Sequence, residues 1–276
     1  MVILTAPWSR PRTFFVALFQ REGRSYRMSN EVPKISVITV CLNEEQRINE
    51  TICSIVNQEY HDFEWIVIDG GSTDGTLKIL DQYRSRITKL ISEQDQGVYD
   101  AMNKGIKIAQ GEYCLFMNGG DKLYNRKSLY NFKNMEKKAD INYGGIIEVH
   151  QGGKVYEKLP YPVRCYKYYL YRRCLPHQSS FIKRSLFQQY GLYNTDYKVN
   201  ADWEFFSRVI VGKDVTVNFL QPIISVFYFD GLSSQTKGSQ AMDQEVMRIR
   251  KKYYSIFYRV RVAVNILLSR FMGRPI

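Results

Sequence analysis

Between Ile35 and Asn118 the chain alternates short apolar runs with amphipathic stretches. ISVITV (35–40), EWIVID (64–69) and YCLFMN (113–118) are apolar at most positions, and ITKLIS (87–92) at half of them. Runs of this kind mark parallel strands covered on both faces, since a strand with one wet face would alternate instead. Between them, INETICSIVNQ places Ile48, Ile52, Ile55 and Val56 at helical spacing. TDGTLKILDQYR sets Leu77, Leu80 and Tyr83 on one side, and VYDAMNKGIKIAQG aligns Val98, Met102, Ile106 and Ala109, with Gly111 expected as its stop. Strand–helix repetition predicts right-handed crossovers into a parallel sheet flanked by helices.

Beyond residue 140 the pattern loosens. Strands are expected near 141–149, 154–158 and 215–220, with a basic, tyrosine-rich segment, YPVRCYKYYLYRR, at 161–173. No internal repeat or low-complexity linker appears. The economical division is one α/β domain over 31–245, an extension over 1–30 and a tail over 246–276.

Charge changes this picture only at the ends. The formal net charge of +12 divides into +4 within residues 1–30 and +8 after Glu245, leaving 31–245 neutral with 26 basic and 26 acidic side chains. A basic groove through the folded core is therefore not expected, and nucleic acid is not an expected partner. The apolar runs of the first 30 residues are broken by Pro7, Arg10, Pro11 and Arg12, too short for a span of about 20 residues. Their charges do not precede the apolar stretch as in a signal peptide. Met28 looks like a natural start, so what precedes it is expected to be poorly ordered. The five cysteines form no C-x-x-C pair, and Cys41 and Cys114 lie in or beside strand-like runs. They read as reduced structural thiols of a cytoplasmic protein.

The candidate chemistry sits where the strands end. After the first come Asn43, Glu44 and Glu45; after the second Asp69, Gly70, Gly71, Ser72, Thr73 and Asp74. After the third come Glu93, Asp95 and Gly97, and after the fourth Asn118, Gly119, Gly120 and Asp121. Ligands of open α/β sheets bind outside the carboxyl ends of the strands. An acidic rim cannot attract phosphate directly, so it argues for an intermediary Mg²⁺ or Mn²⁺ or for recognition of sugar and base hydroxyls. Neither G-x-G-x-x-G after a strand nor G-x-x-x-x-G-K-[ST] occurs, which disfavours dinucleotide and P-loop folds.

The signatures ISVITVCLNEE, WIVIDGGSTDGT, DQGVYDAMNKGI, YCLFMNGGD, PHQSSFIKRSLF and NADWEFFSRV resemble those of the family-two glycosyltransferases. The likeness runs over residues 33–230 and is nearest the bacterial branch acting in exopolysaccharide, capsule and lipopolysaccharide assembly. It implies the GT-A fold, Rossmann-like with a mostly parallel central sheet. It also implies inverting transfer of a sugar from a nucleotide-diphospho-sugar to a hydroxyl of a glycan or polyprenyl-linked acceptor.

Carried over by position, Thr39, Asn43 and Glu44 would line the nucleotide pocket, and Asp69 would bind its base or ribose. Asp95 is a further donor-site candidate. Lys104 is expected to reach phosphate or to be a solvated helix lysine. Asn118, Gly119, Gly120 and Asp121 resemble the family's D-x-D metal motif with its first acids replaced, leaving Asp121 as the single direct ligand of Mn²⁺ or Mg²⁺. The glycines would let backbone approach a pyrophosphate.

Asp202 takes the position of the base that deprotonates the acceptor hydroxyl. The alternatives are a helix cap at Asp202, and Glu204 as the carboxylate in its place. The partly apolar setting of Asp202 is expected to raise its pKa. His177 is expected either to touch acceptor or diphosphate or to be structural, and Trp203 to stack on an acceptor sugar or pack in the core. A catalytically weak or inactive nucleotide-sugar-binding protein is the competing reading, since the metal motif has lost acids. The tail interleaves eight basic residues with Tyr, Phe, Ile, Val and Leu. It reads as a basic amphipathic helix on anionic lipid, or as a helix packed back on the domain. The first option places the protein peripherally at the inner face of the cell membrane.

Overall fold

In the computed structural model of this chain, the structure describes residues 34–158, 166–228 and 240–271. The extension over 1–30 and the start of the tyrosine-rich segment lie outside those residues.

Strands β1 (Ile35–Cys41), β2 (Phe63–Asp69), β3 (Lys89–Ser92) and β4 (Tyr113–Phe116) lie in the order β3-β2-β1-β4, all parallel. The helices between them are α1 (Ile48–Val56), α2 (Thr76–Asp81) and α3 (Val98–Ile108). β1, β2 and β4 are buried along nearly their whole length because both of their faces are covered, while β3, at the edge of the sheet, is only partly buried. Ile35 and Val37 share a core with Ile48, Ile52 and Leu80 on the face of α1 and α2. Ile38 and Val40 share another with Met102 and Ile106 of α3. Thr39 is fully buried on the first of these faces, where its hydroxyl accepts the Trp65 indole N–H at 3.0 Å.

Helix α3 stops before Gly111: Ala109 is already extended, at φ −65° and ψ 140°. Gly111 is there for close approach instead. A Cβ on it would stand 2.6 Å from the Ser36 nitrogen, and its N–H donates to Ser36 Oγ and Glu64 Oε1, both at 2.9 Å.

The second half adds β5 (Lys122–Leu123), α4 (Ser128–Lys133), β6 (Ile141–Val149), β7 (Val155–Lys158) and α5 (Tyr166–Arg172). Then come β8 (Ser180–Lys183), α6 (Arg184–Tyr190), α7 (Ala201–Ile210), β9 (Val217–Tyr228), α8 (Gln240–Tyr253) and α9 (Ile256–Phe271). The sheet continues β4-β8-β6-β9-β5, with β7 beside the far end of β6. β8 is antiparallel to both of its neighbours, and β6 and β9 run parallel to each other. β9 runs eight residues past the strand expected at 215–220. Its pattern is interrupted by Gln221-Pro222, which fall in an irregularity between the pairs Tyr143–Phe219 and Gly145–Ile223. Proline lacks the ladder N–H and is tolerated at such a bulge.

The division at 245/246 falls inside α8. Val246 and Ile249 are buried in one core with Trp203 and Phe206, so this helix is part of the domain. No helix among the described residues is long and apolar enough to cross a membrane.

Candidate active site

The loops leaving β1 and β2 are sewn together at the sheet's carboxyl edge. Asn43 takes a positive φ of 54°, a conformation asparagine tolerates. Its N–H donates to Ser72 Oγ at 2.8 Å, and its Oδ1 accepts the Thr73 N–H at 2.9 Å. The Glu44 N–H donates to Thr76 Oγ1 at 2.8 Å, and Glu45 N–H and carboxylate bond across to Asp74 and Gly75 at 3.0 Å. Asp69 closes the same turn from below. It is fully buried, and its carboxylate accepts from Gly71 N (3.1 Å), Ser72 N (3.0 Å), Ser92 Oγ (2.7 Å) and Ser72 Oγ. Asp69 therefore shapes the loop of the expected nucleotide pocket, and its acceptors are spent on the chain itself.

Past the end of β4 the backbone still tracks β1, with Met117 N to Ile38 O at 2.9 Å and Gly119 N to Val40 O at 2.8 Å. The two glycines make room for the β1–α1 loop. A Cβ on Gly119 would stand 2.8 Å from Glu44 Cγ, and one on Gly120 would run into the Arg47 guanidinium. Gly120 also needs its φ of 90°, which disfavours any side chain. Thr51 on α1 pins the turn, accepting from Gly120 N at 3.0 Å and donating to Asp121 O at 2.6 Å.

Asp121 is buried, and burial pushes its pKa up to about 7. His177, the Tyr228 N–H, the Gln178 side chain and Arg47 act against that rise. Arg47 also lies over the Tyr228 ring, 5.1 Å from its centroid.

Asp202 stands in the first turn of α7. Asn200, not Asp202, holds the N-cap position, so the capping alternative does not describe it. His177 Nδ1 lies 2.9 Å from Asp202 Oδ2, while Asp202 Oδ1 accepts from Trp203 N at 2.8 Å. The Tyr99 hydroxyl shares its proton between Val199 O at 2.7 Å and Asp202 Oδ1 at 3.0 Å. Burial pushes the Tyr99 hydroxyl well up, so it remains a donor. Burial also opposes ionisation of Asp202, but His177, the Trp203 N–H and Tyr99 prevail and hold its pKa below the usual carboxylate value. The expected rise is thus reversed: the apolar flank is present, and three donors outweigh it. His177 Nδ1 bonds Asp202, and the same ring is near enough to Asp121 to oppose the rise in its pKa, so the two acids, 81 residues apart in the chain, belong to one neighbourhood.

Other candidates are committed elsewhere. Thr39 lies under the Trp65 indole within β1 and does not reach the rim. Lys104 is held by Asp95 at 2.5 Å, Glu93 at 2.9 Å and Gln94 O at 3.0 Å, which keeps its pKa raised; it and Asp95 hold the β3–α3 loop. Trp203 is buried and donates its indole N–H to Leu170 O at 2.6 Å, so it is a core residue. Glu204 is buried and binds Arg208 at 3.2 Å, Lys252 at 3.0 Å and the Tyr253 hydroxyl, which leaves it no role as a base. Arg47, Tyr99, Gln178 and Tyr228 belong to the site and carry no signal of their own in a single sequence, although Tyr99 lies within DQGVYDAMNKG.

Among the described residues no group of three or more His, Cys, Asp or Glu side chains is placed to hold a metal ion unaided. The donors that remain are the Asp121 carboxylate and two buried atoms lacking a hydrogen-bond partner, Asn118 Oδ1 and His177 Nε2. That set suits a hard divalent cation whose shell is completed by diphosphate oxygens and water, and does not suit a self-sufficient protein cage.

Residues 36–191 match the family described as Glycosyl transferase family 2, more than half of the chain. The chain belongs to that family. The glycosyltransferase is 32% identical over 214 residues to a PGL/p-HBAD biosynthesis glycosyltransferase of Mycobacterium bovis, covering 73% of this chain and 80% of the relative. It is 39% identical over 98 residues to a putative teichuronic acid biosynthesis glycosyltransferase, TuaG, of Bacillus subtilis, covering 34% of this chain and 39% of that one. Solved structures share the fold. TarS 1–349 of S. aureus, in complex with UDP-GlcNAc, superposes with a TM-score of 0.61 at 20% identity, over 78% of this glycosyltransferase and 65% of that chain. The mannosyltransferase PcManGT of Pyrobaculum calidifontis, in complex with GDP-Man and Mn²⁺, gives 0.55 at 17% identity over 87% and 81%. The architecture is GT-A, as the strand pattern and motifs imply.

Proposed function

We propose that this glycosyltransferase moves a sugar from a nucleotide-diphospho-sugar to a hydroxyl of a lipid-linked glycan with inversion, during synthesis of a cell-surface polysaccharide. The Asp202–His177 pair, with the buried Asp121 in the same neighbourhood past the end of β4, carries this reading. Inverting transfer needs a base for the incoming hydroxyl's proton on one side of the anomeric carbon and positive charge at the departing diphosphate on the other. Relatives named for PGL/p-HBAD biosynthesis and for teichuronic acid biosynthesis support the cell-surface assignment.

In this reading Asp202, ionised by His177 and Tyr99, accepts the acceptor proton on Oδ2, the oxygen with a lone pair left beside its one bond, as the new glycosidic bond forms and the bond from the anomeric carbon to the diphosphate breaks. His177 orients the carboxylate through its Nδ1. The 42–47 and 70–76 loops hold the nucleotide, and Arg47 stands beside the diphosphate end. Asp121, with Asn118 Oδ1 and His177 Nε2, would hold Mn²⁺ or Mg²⁺. That ion, when bound with donor, supplies positive charge to the leaving nucleoside diphosphate.

Helix α9 exposes Ile256, Phe257, Val260 and Val264 along one side, and the tail is basic, a combination that fits an anionic bilayer surface on the cytoplasmic side.

A thermal-shift panel of UDP-, GDP- and dTDP-sugars, with and without Mn²⁺, tests the donor reading. One sugar nucleotide should raise the melting point only when the cation is present, and Asp121→Ala should abolish the rise. No rise with any of these donors would refute donor binding. A rise without turnover would favour the inactive binding protein instead.

A further inference from the structure

We propose that Glu245, on α8 and away from the reacting atoms, is the positioning residue that seats Asp202. The proposal rests on the assignment of Asp202 as base. The segment that delivers Asp202 to the site is Lys198-Val199-Asn200, and all three of its backbone N–H groups converge on one carboxylate. Glu245 accepts from Lys198 N at 2.6 Å, Val199 N at 3.2 Å and Asn200 N at 3.0 Å, and from Asn200 Nδ2 at 3.1 Å.

Nothing local does this work. Asn200 occupies the N-cap position of α7 without a capping side-chain bond, so the entry to the helix is set from α8. The same segment is gripped from the other side, where Val199 O takes the Tyr99 proton that Asp202 shares. Asp202 therefore sits two residues beyond a loop fixed between a carboxylate on α8 and a phenol on α3.

Glu245 is buried, with Arg248 Nη2 at the 4.0 Å limit of an ion pair. A buried carboxylate is costly unless donors surround it, and here four N–H groups do. Its removal leaves those N–H groups unpaired in a dry place and frees the loop. A base displaced by about an ångström loses roughly a hundredfold in rate without changing how donor binds.

The test uses the full chain and two readouts. The chain has three histidines, so ¹⁵N signals of the His177 imidazole are assignable by comparison with His177→Gln. Glu245→Gln keeps the side chain's shape but turns a donor toward donors. It should move the His177 Nδ1 resonance toward its position in Asp202→Asn. It should also lower kcat about 10- to 100-fold, with the dissociation constant of the sugar nucleotide that stabilises the chain unchanged within twofold. Ile35→Ala, fully buried in the other core at the amino end of β1, should destabilise the protein and leave both readouts at wild type.

Asn200→Ala, which removes one of the four bonds, should show the same displacement in smaller degree and serves if Glu245→Gln does not fold. A wild-type His177 resonance in Glu245→Gln, or in Asn200→Ala if that is the variant that folds, would overturn the proposal. An equal displacement in Ile35→Ala would do the same. Normal turnover in Asp202→Asn would remove the base assignment, while the resonance still judges whether Glu245 seats that residue.

Discussion

Asp121 is a carboxyl that burial strains against ionisation. Its carboxyl is buried, and its pKa rises from 3.8 in the unfolded chain to about 7 in the fold. Between those values the native state holds a proton that the unfolded state releases, so this residue's contribution to stability falls as pH rises from about 4 to 7 and is flat above. Three pKa units correspond to about 4 kcal/mol. Asp121→Asn in EDTA should therefore be more stable than wild type at pH 8, by an amount that shrinks toward zero near pH 4, as followed by urea melts. A stability difference that does not change with pH would mean that Asp121 is not strained. The same burial makes the residue a receptive cation ligand, because a divalent charge relieves what protonation otherwise must.

Both acids were legible in the sequence because each follows an unmistakable element boundary, a buried strand for Asp121 and a helix start for Asp202. Thr39, Asp69 and Lys104 stand in equally recognisable motifs, yet their polar atoms are consumed by Trp65, by the 71–72 turn and by Asp95. Sequence spacing shows where a side chain sits and not whom it has bonded.

Among the elements, β4 and its following turn show most clearly how local chemistry builds the site. The turn closes only because Gly120 adopts a φ of 90° and leaves space for Arg47. Gly120→Ala should cost about 1–2 kcal/mol of stability from the backbone conformation. The Arg47 end of its clash is a flexible tip and yields cheaply, but Arg47 must move, so donor affinity should fall by more than the stability loss implies. Calorimetric titration of the stabilising sugar nucleotide checks this, and unchanged affinity would detach Arg47 from the diphosphate.

The first four strands and three helices follow the sequence pattern closely, since β1, β2 and β4, buried on both faces, read as largely apolar runs that frame the partly exposed β3 and the amphipathic helices. Helices α4, α5 and α6 are six or seven residues long, too short for a periodicity to declare itself. α8 was obscured differently. Its many charges suggest a detached tail, whereas Glu245, Val246 and Ile249 turn inward to α7.

At the scale of the molecule, the sheet gathers loops from β1, β2, β3 and β4 at one edge, and α7 brings Asp202 to the same place. The tail divides between the two expectations for it: α8 packs on the domain, while α9 keeps an apolar side in solvent, with Phe257 84% exposed. Phe257→Asp with Val260→Asp should abolish co-sedimentation with phosphatidylglycerol vesicles while leaving the melting point within about a degree, as expected of exposed positions. Equal sedimentation of the double variant and wild type would contradict attachment through α9.

The central claim, that Asp121 and Asp202 serve one transfer from opposite sides, is tested most directly by the kinetics of Asp202→Asn. Donor binding, measured calorimetrically with Mn²⁺ and the stabilising sugar nucleotide, should stay within about twofold of wild type, while release of nucleoside diphosphate during transfer falls by about 10²–10⁴-fold. Turnover at the wild-type rate in that variant, or a loss of donor binding that accounts for the whole effect, would contradict it.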